Sequence, residues 1–209
     1  MKWKKIIRSF GAMLIFLSNL LLSAQVGGGS KVIIIDPGHG GRDPGAIGIN
    51  EMKEKDIVLN LAKEILKLNK EKFNYDIYLT RYTDTLVSLK NRTNLAKSLS
   101  ADLFLSLHCN HSANPFARGN EIYVANTILS HNLETSILIA NRLSLNFTKR
   151  LGIIQRGVKF SNFQVLRNTI NNFPSLLIEL CFLSNKEEAA FLSKKGIIQA
   201  MALLILESL

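Results

Sequence analysis

Short apolar runs alternate with helical periodicities along most of the chain. Val32-Ile33-Ile34-Ile35 is rich in β-branched residues and ends abruptly at Asp36-Pro37-Gly38, which predicts a buried strand over Lys31–Asp36. Further strands are expected at Tyr75–Thr80, Leu103–Cys109, Glu121–Ala125, Gln164–Arg167 and Ser175–Cys181. Between them, Lys55–Lys70 places Ile57, Leu61, Ile65 and Leu68 on one face at helical spacing. Leu89–Leu99 and Leu133–Thr148 follow a similar pattern. Asn185–Ser193 opens with Ser184 three residues ahead of Glu187, a capping-box signature. Ile197–Leu209 closes the chain as a strongly apolar helix expected to pack on the sheet; its shortness and Glu207 argue against a membrane-associated tail. Strand and helix in alternation predict an α/β fold. The expected architecture is a mostly parallel twisted sheet of about six strands with helices on both faces, in a single domain.

The first residues follow a different pattern. Lys2, Lys4, Lys5 and Arg8 precede an apolar stretch from Phe10 to Leu22, and Ser23-Ala24-Gln25 offers small residues for cleavage. This predicts a signal peptide over residues 1–24, a Gly-rich linker over 25–30 and a folded domain over 31–209. The apolar stretch is short for a membrane span. Leu22 is not the small residue preferred three positions before a cut after Ala24, so an uncleaved anchor is the alternative. Either way the protein is expected to be exported to the periplasm or cell envelope, with a membrane tether only if the leader stays attached.

The 209 residues suit one globular domain with a substantial core. Four positive charges of the formal +10 lie in the leader, which leaves about +6 for the domain. That bias suits an anionic polymer such as cell-wall material, but also nucleic acid or an anionic membrane face. The basic residues are scattered without a long run, which together with export argues against nucleic acid as a partner. Cys109 and Cys181 each lie inside a strand-like segment. Export permits a disulfide, but two cysteines make no disulfide scaffold, and two buried thiols are expected.

The residues with chemistry fall where a parallel sheet gathers them, at the carboxyl ends of strands. His39 follows the first strand among small residues, and His108 ends the apolar run Leu103–Leu107. Each alone reads as a core or solvated histidine; as a pair at equivalent strand ends they suggest metal ligands. Glu179 is embedded in the apolar stretch Pro174–Leu183. A buried carboxylate without a partner costs several kcal/mol or becomes protonated, so it needs a cation, donors or a functional reason. An ion pair with Arg167 is the structural alternative. Glu54 opens a charged helix start, where composition alone makes it a solvated residue favoured by the helix dipole. Two histidines and one carboxylate with an open fourth position form a catalytic zinc arrangement. A separate carboxylate can then move the proton.

Several ordered blocks go further. They are Ile35-Asp36-Pro37-Gly38-His39-Gly40-Gly41 with Asp43-Pro44-Gly45-Ala46, Glu54-Lys55-Asp56, and Thr80-Arg81 with Asp84, Leu89 and Arg92. Later come Ser106-Leu107-His108 with Asn110, Gly119-Asn120-Glu121-Ile122-Tyr123, and Arg156-Gly157-Val158-Lys159. Val165-Leu166-Arg167 and Glu179 with Phe182-Leu183-Ser184-Asn185 complete the set. Together they resemble the zinc-dependent N-acetylmuramoyl-L-alanine amidases of the cell-wall amidase 3 family, from about Val32 to the C-terminus.

The resemblance implies one Zn2+ per chain held by His39, Glu54 and His108, with Glu179 as acid/base. It implies a peptidoglycan hydrolase, cutting the amide between the lactyl group of N-acetylmuramic acid and the L-alanine that starts the stem peptide. Residues 31–209 are then a catalytic amidase domain, expected to act as a monomer. Arg167 and Asn110 are substrate-side candidates, a salt bridge at the sheet edge being the alternative for Arg167. Cys181 and Cys109 depart from the small residues common in the family and are expected to be tolerated neighbours of the cleft. His111 is expected to be solvent-exposed or to stand behind the ligand His108, and His131 to lie at the surface. Some family members carry an inserted helix that plugs the cleft until an activator binds; Val124–Gln155 has room for one ordinary domain helix, so no plug is expected. The competing readings are an exported zinc peptidase acting on peptides, a non-catalytic wall-binding module and a basic nucleic-acid binder. The third residue of the stem peptide and the physiological role in separation, recycling or lysis stay open at this level.

Overall fold

The structure, a computed structural model, describes residues 30–209, so the leader and nearly all of the linker lie outside the described residues. Lys31–Leu209 form one compact unit. Its elements in chain order are β1 (Val32–Pro37), α1 (Glu54–Lys72), β2 (Asp76–Leu79), α2 (Leu89–Ser98), β3 (Leu103–Asn110) and β4 (Asn120–Ala125). They continue with α3 (His131–Leu151), β5 (Gln155–Ser161), α4 (Gln164–Arg167), β6 (Ser175–Phe182), α5 (Lys186–Leu192) and α6 (Ile197–Glu207). The strands make one sheet in the order β2-β1-β3-β6-β4-β5. Every neighbouring pair is parallel except β4 with β6, so the α/β class and mostly parallel sheet expected from the alternation are borne out.

The apolar patterns explain the layers. α1 buries Ile57, Val58, Leu61, Ile65 and Leu68 and packs on β1, β3 and α6. α3 buries Leu133, Ile139, Leu143 and Phe147 against β4, β5 and β6, and it also meets α6. It starts at a Ser130 cap and stops where Gly152 turns left-handed at φ 70°, a conformation that favours glycine. The apolar residues of α6, Met201, Ala202, Leu204, Ile205 and Leu206, are buried between these helices, which accounts for its hydrophobicity without a membrane. Among the described residues, no single helix is long and apolar enough to cross one. α2 and α4 pack together, and α4 lies on β4 and β6. Truncating a fully buried side chain such as Phe104 or Phe147 to Ala would cost roughly 3–5 kcal/mol, because the sheet and helices cannot close the hole.

Two local expectations are corrected. Gln164–Arg167 is one turn of helix, closed by Arg167 N to Phe163 O at 2.9 Å and Asn168 N to Gln164 O at 3.0 Å. Val165 and Leu166 still point into the core, which an isolated apolar pair does equally well on a strand or on one helical turn. The sixth strand is β5 at the sheet edge. At the start of α5 the cap is Asn185, whose side chain accepts from Glu187 N and Glu188 N. Ser184 instead accepts from Ser112 N at 3.0 Å, tying two loops together.

Candidate metal centre

β1 ends at Pro37, and Gly38 N still reaches Leu107 O at 3.0 Å, so the ladder carries on into the turn. Gly38 must be glycine: a Cβ there would lie 2.3 Å from the His108 ring. His39 then takes φ 58°, a left-handed conformation that a non-glycine residue adopts at a cost of about 1–3 kcal/mol. Two buried arginines hold it there. Arg92 donates to His39 O at 2.6 Å and Pro37 O at 2.7 Å, and it pairs with Asp36 at 2.7 Å. Arg81 donates to Pro37 O, Gly38 O, Thr83 O and Lys55 O. Asp36 also accepts from Thr80 and Ser106, so no charge is left unmet beneath the turn.

Glu54 is the first residue of α1 and is buried, contrary to its solvated look in the sequence. Its Oε2 accepts from Ala46 N at 2.8 Å and its Oε1 from Cys109 N at 3.0 Å. The same Oε1 lies 3.1 Å from His39 Nε2 and 2.8 Å from His108 Nδ1. Burial alone would raise the Glu54 carboxyl, but hydrogen bonds and charge from His108 and His39 outweigh it and hold it far below the usual carboxylate range. Burial likewise opposes the charge on His39, yet Glu54 and Asp43 raise its pKa to about 9. His39 Nδ1 donates to Asp43 Oδ2 at 2.8 Å, leaving Nε2 turned toward Glu54. Gly45 closes this corner at φ 66°, where a Cβ would lie 2.4 Å from Glu54 Oε2.

One donor atom each from His39, Glu54 and His108 lies within 4.8 Å of the others, and the two rings meet edge to face at 5.0 Å. Convergent imidazole and carboxylate donors of this kind suit a divalent metal. Glu179 stands beside His108 in the β3–β6 register. Its Oε2 is buried with no hydrogen-bond partner, and burial pushes its pKa up to about 7. Glu179 and both imidazoles line a cleft of about 500 Å³ whose apolar walls include Leu86, Val87, Leu89, Phe163 and Val165.

Asn110 ends β3 and donates to Glu121 Oε2 at 3.0 Å, next to Glu179. Arg167 is exposed and donates to Asn162 O at 2.6 Å; among the described residues it forms no ion pair with Glu179. Cys109 and Cys181 are buried free thiols, and the hydrogen bond between them and burial push the Cys109 thiol up. His111 and His131 are exposed. The reading of single residues missed Asp43, Arg81, Arg92 and Glu121. Glu121 carried the same signal as Glu179, a carboxylate adjoining an apolar strand.

Residues 33–209 match the protein family described as N-acetylmuramoyl-L-alanine amidase. The endolysin of Bacillus phage SPP1 is 36% identical over 174 residues, spanning 83% of this chain and 62% of the endolysin. N-acetylmuramoyl-L-alanine amidase LytC of Bacillus subtilis is 37% identical over 178 residues, 85% of this chain and 34% of LytC. The chain therefore spans under two thirds of either relative. Among solved structures, the catalytic domain of the amidase CwlV from Bacillus (Paenibacillus) polymyxa superposes with a TM-score of 0.76 at 33% identity, covering 85% of this chain and 95% of that one.

Proposed function

The chain belongs to the N-acetylmuramoyl-L-alanine amidase family, and on that footing we propose that it hydrolyses the muramyl–L-alanine amide of peptidoglycan. The observation that carries this reading is the meeting of His39, Glu54 and His108 within 4.8 Å beside Glu179, whose buried Oε2 has no partner. Two imidazole nitrogens and one carboxylate fit zinc better than a hard, all-oxygen cation, so these three residues would hold one Zn2+. When bound, the ion supplies a Lewis acid and a water acidic enough to lose its proton near neutral pH. Asp43 fixes the His39 ring so that Nε2 is the free donor. Glu179 would take a proton from a water adding to the lactyl carbonyl and deliver it to the departing L-alanine amine. A carboxyl that burial holds near neutrality is suited to both halves of that transfer.

Asn110 and Arg167 are the weaker substrate-side residues of this reading, the one donating to Glu121 and the other exposed and donating to Asn162 O. We place the enzyme in the cell envelope after export and expect it to work as a monomer. Leu133, Ile139, Leu143 and Phe147 commit α3 to the sheet, which supports activity without a releasing partner. The test is digestion of purified peptidoglycan by the protein alone, with mass spectrometry of the products. An amidase frees whole stem peptides and leaves uncut glycan bearing muramic acid; cuts within the peptides would identify a peptidase instead. A chelator should abolish cleavage, and Glu179→Gln should lower kcat by about 10²–10⁴. Full activity in the Gln variant would remove Glu179 from the mechanism.

A further inference from the structure

Beyond Glu179 the sheet continues into β4 and β5, and this edge carries charges that the hydrolytic step leaves unused. Glu121 stands opposite Glu179 in the antiparallel β4–β6 pair. Its buried carboxylate accepts from Arg156 Nε and Lys159 Nζ, each at 2.6 Å, through Oε1. Oε2 accepts from Tyr123 at 2.8 Å and Asn110 at 3.0 Å. Two cations thus share the Glu121 carboxylate, the Glu188 carboxylate near Arg156 accepting from Gly119 N and Phe182 N instead, and this trio carries a net positive charge. It faces solvent, since the Arg156 and Lys159 side chains are each 38% exposed.

Aromatic rings hold both cations in place. The Arg156 guanidinium lies 5.1 Å above the Phe182 ring, and Lys159 Nζ lies 5.9 Å from the centre of the Tyr123 ring. Tyr123 in turn meets Phe163 edge-on at 5.1 Å, and Phe163 lines the apolar cleft that Glu179 also lines. Arg156 uses Nε on Glu121 and Nη1 in a long contact to Arg118 O, which leaves Nη2 without a partner among the described residues. Lys159 uses only one ammonium proton on Glu121. Donors remain for a second carboxylate, and the first one aims them.

We propose that Arg156 and Lys159 form a carboxylate-binding subsite that receives the acidic stem peptide, while the muramyl side of the bond occupies the apolar cleft. This rests on the amidase reading and adds to it the direction in which the substrate lies across Glu179. Recognition is through charge-assisted hydrogen bonds from two preset cations, and amidation of the peptide carboxylates removes their partner.

The experiment compares the full chain on two muramyl peptides, one with free carboxylates and one with the same carboxylates amidated. The wild type should favour the acidic peptide in kcat/KM by about tenfold or more. Lys159→Gln and Arg156→Gln should each shrink that preference toward one, through KM rather than kcat, and Lys159→Arg should restore most of it. Equal losses on both peptides would mean that the cluster only braces β5, and a wild type indifferent to amidation would overturn the subsite while leaving the amidase reading intact. Failure of the wild type to cut either peptide at the muramyl–alanine bond would bring down both.

Discussion

On one side of the His39–Glu54–His108 centre, Arg92 pairs with Asp36 beneath the turn after β1 while Arg81 beside it donates to backbone carbonyls; on the other, Arg156 and Lys159 meet Glu121 at the β4–β5 edge. Each cluster gathers two cations around one carboxylate, which bonds only Arg92 beneath the turn but both cations at the edge. Beneath the turn the arginines are buried, and their donors reach the carbonyls of Pro37, Gly38, His39, Lys55, Thr83 and Val87. The surplus charge there is met by backbone dipoles and fixes the conformation of His39. At the edge the cations are half-exposed and keep unused donors. Residue type does not separate these roles; burial and donor saturation do.

The largest effect should come from the buried cluster. Arg92→Leu would strand Asp36, only 1% exposed, with two hydroxyl donors and no cation, and would leave His39 O unmet. Breaking a buried pair in this way costs about 3–5 kcal/mol, readable as a fall in the denaturant midpoint. A loss under about 1 kcal/mol would show that the turn does not depend on the arginine. Asp43 comes next and mixes the two characters: its side chain is 48% exposed like the edge cations, yet it orients the His39 ring as the buried arginines hold its backbone. Asp43→Ala should therefore spare stability while lowering metal affinity or activity by about 10–100-fold, measured by competition with a chelator. Unchanged affinity would mean that the Arg92 clamp alone sets the ring.

The same contrast decides what could be read from sequence. Apolar runs such as Val32–Ile35 and Leu103–Leu107 announce their strands because they are buried on both faces. β5 has no such signal: Gln155, Arg156, Gly157 and Lys159 leave an edge strand with little apolar content, and the neighbouring Val165-Leu166 draws the assignment away. His39, His108 and Glu179 stand out because each is polar at the end of or within an apolar segment. Glu54 does not, since its role depends on Ala46, Cys109 and two histidines arriving from elsewhere in the chain. Only the ordered family blocks pointed to it. Arg92 was hidden in the same way, as an ordinary charged position on a short amphipathic helix whose partner Asp36 lies 56 positions away.

The smallest effect sharpens the comparison most. Lys159→Gln removes one cation from a cluster built like the one beneath the turn, so a count of ion pairs alone would forecast a comparable loss of stability. The environment forecasts otherwise. Glu121 would keep Arg156, Tyr123 and Asn110 as donors, and the lost ammonium was already partly hydrated. The change should cost less than about 1 kcal/mol, within the range of exposed ion pairs, and should shrink further in high salt. Thermal melts of the Lys159→Gln and Arg92→Leu variants, run side by side at low and high ionic strength, test this directly. If Lys159→Gln were as costly as Arg92→Leu and insensitive to salt, the edge cluster would be a second clamp, and its exposed charge would have no claim on a substrate.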